Sequence, residues 1–137
     1  MKVSHILDGK PLRKGDAGER RISVHNATRN TVLATMAEVA DRGATRRKGL
    51  LGRTGLQDGG GLWIVPCESV HTIGMQFAID LVYLDRNQRV KKVRRSVPAW
   101  RLSACLTARS ILELPAGTIE RTQTRAGDQI LLSAASE

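Results

Sequence analysis

Phe77-Ala78-Ile79-Asp80-Leu81-Val82-Tyr83-Leu84 is the stretch that decides the fold of this chain. It has strand length, carries aromatic and β-branched residues, and runs into the turn residues Arg86-Asn87-Gln88. As a strand it places Asp80 on one face with Ala78, Val82 and Leu84, so the carboxylate points at apolar company. Upstream, Leu62-Trp63-Ile64-Val65 lies between the turn Asp58-Gly59-Gly60-Gly61 and Pro66, and supplies the second core strand. Downstream, residues 89–97 complete a hairpin. There Lys91, Lys92, Arg94 and Arg95 flank Val93, the pattern of an edge strand whose charges discourage further pairing.

Farther out the same reading continues. Ile22 and Val24 alternate with Ser23, residues 26–30 form a turn, and residues 31–39 read as a strand because Val32, Val39 and the threonines weigh against a helix. Residues 44–51 are basic and short, one or two helical turns with a stop at Gly52. Pro98 and Trp100 mark a connection. Residues 110–114 form a strand closed by Pro115, residues 117–124 a short helix, and residues 129–132 the last strand after the Gly127-Asp128 turn. About seven short strands with one or two short helices predict a mainly β fold, an antiparallel sandwich or partly closed barrel. Residues 20–137 make a single β domain, and residues 1–19, with Gly9, Pro11, Gly15 and Gly18 among charges, a loosely ordered arm.

At 137 residues and 15.0 kDa, with 41% apolar residues, the chain buries about two thirds of its surface and needs no disulfide or metal staple. No apolar run reaches the roughly 18 to 20 residues of a membrane span. Met1-Lys2-Val3-Ser4-His5-Ile6-Leu7-Asp8 lacks a secretory hydrophobic region. A cytoplasmic location is therefore expected, with Cys67 and Cys105 reduced. The formal charge of +9 favours anionic partners.

Four constellations carry possible chemistry. Cys67 and His71, four residues apart after Pro66, suit a thiolate nucleophile, or a metal site with Cys105, or simply a buried thiol beside a backbone-bonded imidazole. Asp80 is either a general acid or base or a structurally paired aspartate, and Glu113 raises the same question, with an outward-facing strand residue as its plain alternative. Arg46-Arg47-Lys48 with Arg53, and Arg86, Arg89, Lys91, Lys92, Arg94, Arg95 and Arg101, form two basic clusters that either contact phosphate or line a solvated face. Gly59-Gly60-Gly61 precedes a strand and is no phosphate loop, and no cofactor is expected.

Several separated segments agree with one family. Residues 47–53 (RKGLLGR), 61–66 (GLWIVP), 71–85 (HTIGMQFAIDLVYLD) and 108–117 (ARSILELPAG), with Gly127-Asp128, resemble domain-of-unknown-function family 192, or DUF192. The resemblance spans residues 20–133. It implies a small β-rich domain of no settled activity. His71-Thr72-Ile73-Gly74-Met75 resembles the His-Thr variety, where many relatives carry Trp-Met-Lys-Asn-Thr. The residues it offers as site candidates are Arg53, His71, Met75, Asp80, Arg109 and Glu113, with no chemistry assigned to them. The expectation is a non-catalytic binding module for an anionic small or polymeric ligand or a protein partner. A Cys/His-based hydrolase or metalloenzyme, and nucleic-acid binding through the basic clusters, are the alternatives.

Overall fold

Every side chain of the stretch 79–84 is buried, which requires a strand covered on both faces, and a curled sheet with separate cores inside and outside provides that. The computed structural model describes residues 6–7, 10–11 and 20–135. Its strands are β1 (Ile6–Leu7), β2 (Lys10–Pro11), β3 (Arg21–Asn26), β4 (Thr31–Ala40), β5 (Leu62–Ile64), β6 (Ser69–His71), β7 (Ile79–Leu84), β8 (Val90–Val97), β9 (Leu102–Ala104), β10 (Ser110–Pro115) and β11 (Ile130–Ala134). Helix α1 (Gly43–Lys48) follows β4, and α2 (Thr118–Thr122) follows β10. The expected arm over 1–19 lies outside the described residues except for β1 and β2, which pair with each other.

Seven strands form one sheet in the order β11-β3-β4-β5-β10-β7-β8. The sheet curls until its two ends meet: Arg89 bridges Gln129, the Ile130 N–H donates to Gln88 O at 2.9 Å, and the Gly127 N–H donates to Val90 O at 2.8 Å. Of the two expected architectures, the partly closed barrel is the one formed. Its pairs are antiparallel apart from β4 with β5, which run parallel and are joined by a crossover containing α1. The basic strand β8 lies at an edge, as its charge pattern predicts.

Alternation along the central strands separates two cores. Val82 and Leu84 of β7, Leu112 and Leu114 of β10, and Trp63 of β5 meet Ile22, Ile119 and Ile130. That cluster joins strands from both ends of the sheet, so it fills the concave side. Ile79, Leu81 and Tyr83, with Ile111, Leu62 and Ile64, point outward and meet Leu50 and Met75. Two departures from the sequence reading shape this outer side. Helix α1 stops at Gly49 (φ 49°), a conformation that favours glycine, and not at Gly52. Beyond it, β6 and β9 pair as a separate two-stranded ribbon, β6 in the stretch after Pro66 and β9 beyond what read as a connection.

Candidate functional site

The outer core is not fully covered. Glu113 shares the outward face of β10 with Ile111, opposite Leu62 on β5 and Leu81 on β7. Above it the end of α1 with its following turn stands on one side and the ribbon on the other. Between them is a cavity of about 380 Å³, with Glu113, Ile64, Leu50, Leu51 and Met75 in its lining. Arg46, Arg47 and Lys48 come from the helix side, and Cys67, Ser69, Val70 and His71 from the ribbon side.

The charge distribution is uneven. Glu113 is 5% exposed, and its carboxyl has no hydrogen bond among the described residues. Burial pushes it up to about 7, against the opposing pull of the Arg53 guanidinium. Arg53 is itself held by a two-pronged contact to Glu38, at 2.5 and 3.2 Å, which keeps the Glu38 carboxyl below its usual range and the guanidinium above its own. The cavity's three cations form no ion pair with any described residue. The ion pairs that are formed are Arg20–Asp41, Arg21–Glu38, Arg29–Asp128 and Arg53–Glu38. Arg46 donates to the carbonyl of Asp41 at 2.9 Å. A buried carboxyl without a hydrogen bond thus shares a cavity lining with Arg46, Arg47 and Lys48, while Arg53 is the cation whose charge acts on it.

The sequence candidates divide. His71, Met75 and Glu113 line the cavity. Arg53 lies outside the lining and reaches Glu113 through its charge. Asp80 does not join them. Its partner across the ladder is Leu114, whose face is the concave one, and it is fully buried. One carboxylate oxygen accepts the Ser96 N–H and the other the Ile119 N–H, each at 2.8 Å. It ties β7 to the left-handed residue Ser96 on β8 and to the first turn of α2, a structural role. Arg109 is exposed outside the cavity, where its backbone receives the Cys67 N–H and donates to Leu84. Glu113 does face outward from β10, as its plain alternative has it, but the α1 turn and the ribbon roof it over, so it is buried.

The Cys67–His71 pairing has little geometric support. His71 is on a strand, and extended backbone separates residues four apart by up to about 13 Å. Burial pushes the Cys67 thiol up, and its S–H donates to Ser69 O at 3.1 Å. Among the described residues no three His, Cys, Asp or Glu side chains gather as a metal-holding group. Arg46, Arg47 and Lys48 were visible in the sequence as a basic cluster, but only the fold makes them part of a cavity's lining, with the Arg46 guanidinium bonded to Asp41 O and that of Arg47 near Gly43.

Compared with known proteins, residues 24–132 match the family DUF192, described as "Uncharacterized ACR". No curated protein matches the chain. Among solved structures it is similar to a protein of unknown function from Novosphingobium aromaticivorans DSM 12444, at 19% identity and a TM-score of 0.68, over 81% of this chain and 83% of that one. It is also similar to a candidate transcription regulator from Sinorhizobium meliloti 1021, at 17% identity and a TM-score of 0.72, over 82% of this chain and 92% of that one. These likenesses are of fold.

Proposed function

We propose, from the premise that this chain belongs to the DUF192 family, that it is a binding module for a small anionic ligand held in the cavity over Glu113. One observation carries the reading: a carboxyl that is buried, lacks a hydrogen bond and faces a space rimmed by Arg46, Arg47 and Lys48. The Glu113 oxygens open onto the cavity and make no hydrogen bond among the described residues, so a ligand atom can pair with them there. Below about pH 7 Glu113 is protonated and donates to a ligand oxygen, while the three cations meet the ligand's charge. Leu50, Ile64 and Met75 give the cavity an apolar floor, and about 380 Å³ suits a metabolite-sized ligand rather than the interior of a polymer.

A second reading rests on the same carboxyl. A group that titrates at about 7 within a ligand cavity also serves as a general acid or base, so a bound molecule could exchange a proton with Glu113. The raised Cys67 thiol weighs against the thiolate hydrolase. We place the protein in the cytoplasm on its two unpaired cysteines.

Thermal-shift and calorimetric titration against inorganic phosphate, sulfate, citrate, ribose 5-phosphate and AMP test the binding reading. At least one of these should bind, and Arg46→Ala with Arg47→Ala should weaken it by about tenfold or more, while Arg109→Ala leaves it unchanged. Binding that ignores the double substitution, or no binding by the panel, would sink it. Conversion of a bound panel member, followed by NMR and lost in Glu113→Gln, would favour proton transfer.

A further inference from the structure

Outside the cavity, exposed apolar surface is concentrated on the ribbon. Of six large apolar side chains exposed among the described residues, four belong to β9 and the segments flanking the ribbon: Ile73 (43% exposed), Trp100 (66%), Leu102 (74%) and Leu106 (78%). Backbone bonds hold these segments together. The Trp100 N–H donates to Thr72 O at 3.0 Å, the Thr72 N–H to Arg101 O at 2.8 Å, and the Cys105 N–H to Glu68 O at 2.8 Å. The ribbon's inner side is occupied, since Ser103 receives the Tyr83 hydroxyl. Its outer side is not: His71 opposite Leu102 and Ser69 opposite Ala104 line a shallow, mostly apolar groove.

Cations are fixed around this apolar surface. Arg94 donates to Leu102 O at 3.4 Å and Arg101 to Ala99 O and Trp100 O, each at 3.3 Å, while Lys92 donates to Ala104 O at 2.8 Å from the inner side, its ammonium 5.5 Å from the centroid of the buried Tyr83 ring. These acceptors are neutral carbonyls of β9 and its approach, and none of the three cations is in an ion pair with a described residue. Glu68, at the end of the ribbon where its carbonyl receives the Cys105 N–H just before Leu106, is the acidic residue of these segments. Protruding aliphatic side chains and a tryptophan, set among cations without counter-charges, complement an apolar layer beneath negative headgroups.

We propose that the β6–β9 ribbon docks on an anionic phospholipid surface, seating Leu102, Leu106, Ile73 and Trp100 in the interfacial zone with Arg94 and Arg101 against the headgroups. This is peripheral contact; no described helix is long and apolar enough to cross a membrane. A nucleic acid makes poorer use of the surface, because three of the four apolar side chains are aliphatic and only Trp100 can stack on a base. The inference needs no ligand in the cavity, although Ser69, Val70 and His71 line both the cavity and the groove.

The test is co-sedimentation of the full chain with phosphatidylcholine vesicles, with and without phosphatidylglycerol. Binding should require the anionic lipid, weaken as salt rises, and shift the Trp100 emission to the blue, a shift absent in Trp100→Phe. Each cation near the surface contributes about fivefold, so Arg94→Ser with Arg101→Ser should lower the partition about twenty-fivefold. Leu102→Ser with Leu106→Ser should abolish the emission shift; all four positions are exposed or half-buried, and unchanged thermal transitions would confirm that the variants fold. Equal partition to both vesicle types, or retention of vesicle binding by the leucine variant, would overturn the proposal. So would binding to duplex DNA without binding to vesicles, which would assign the surface to nucleic acid.

Discussion

Replacing Glu113 with glutamine tests the central electrostatic claim, because it keeps the shape of the side chain and removes its titration. In the unfolded chain the carboxyl titrates near 4.5, and in the folded protein at about 7, since burial disfavours the charged form. Between those two values the unfolded chain has released the proton and the folded protein still holds it. Stability from this group is therefore fully present below about pH 4.5, falls as pH rises through the window, and is gone above about pH 7. At 1.36 kcal/mol per pH unit the loss amounts to about 3 kcal/mol. Glu113→Gln should remove that slope, matching the parent near pH 4.5 and exceeding it at pH 8 by up to about 3 kcal/mol, or about 10 °C in Tm for a chain of this length. Urea unfolding from pH 4 to 8.5, followed by the fluorescence of buried Trp63, reads the difference directly. Other groups cancel in the comparison, including Glu38, whose lowered titration gives the opposite slope at more acidic pH. Parallel curves for parent and variant across pH 4.5 to 7 would refute the reasoning, because they would mean that Glu113 is ionised in the folded protein.

Asp80→Ala leaves the Ser96 and Ile119 N–H groups without their acceptor and should cost about 3 kcal/mol in urea unfolding; a loss under about 1 kcal/mol would contradict the clamp. Arg53→Ala breaks a partly exposed ion pair, so its stability cost should be only about 1 kcal/mol. The same substitution should raise the Glu113 titration midpoint, seen by carboxyl carbon NMR, and an unmoved midpoint would show that the guanidinium does not reach that carboxyl. Gly61→Ala puts a methyl 2.9 Å from Leu114 Cδ2 and 3.0 Å from the Glu113 carbonyl oxygen, and calorimetry should show a loss of about 2 kcal/mol. A neutral Gly61→Ala would mean that β5 can move away from β10.

The β character and the family were legible in the sequence for different reasons. Ile22 with Val24, residues 31–39 and the run 77–84 announce strands because alternation and β-branching are local properties of the backbone. The family shows in motifs whose order and spacing survive without any structure. The ribbon was not legible: β6 and β9 are three residues each, partly polar, and gain their ladder only by pairing with each other. The parallel β4–β5 pair was hidden in the same way, since a crossover's path is not encoded in either strand.

The two carboxylates mark the boundary most sharply. Asp80 and Glu113 each stand alone in an apolar strand, and by sequence they pose the same problem. Leu114 opposite Asp80 and Leu81 opposite Glu113 put them on opposite faces of one sheet, where Asp80 receives two backbone N–H groups and Glu113 receives none. The sequence alone determined that strands form, which residues share a face, and that strong positive charge accompanies them, because these follow from neighbours along the chain. Tertiary structure decided which carboxyl is satisfied, that Arg46, Arg47 and Lys48 line a cavity and what remains open to a ligand, because burial and partners are set by segments far apart in the chain.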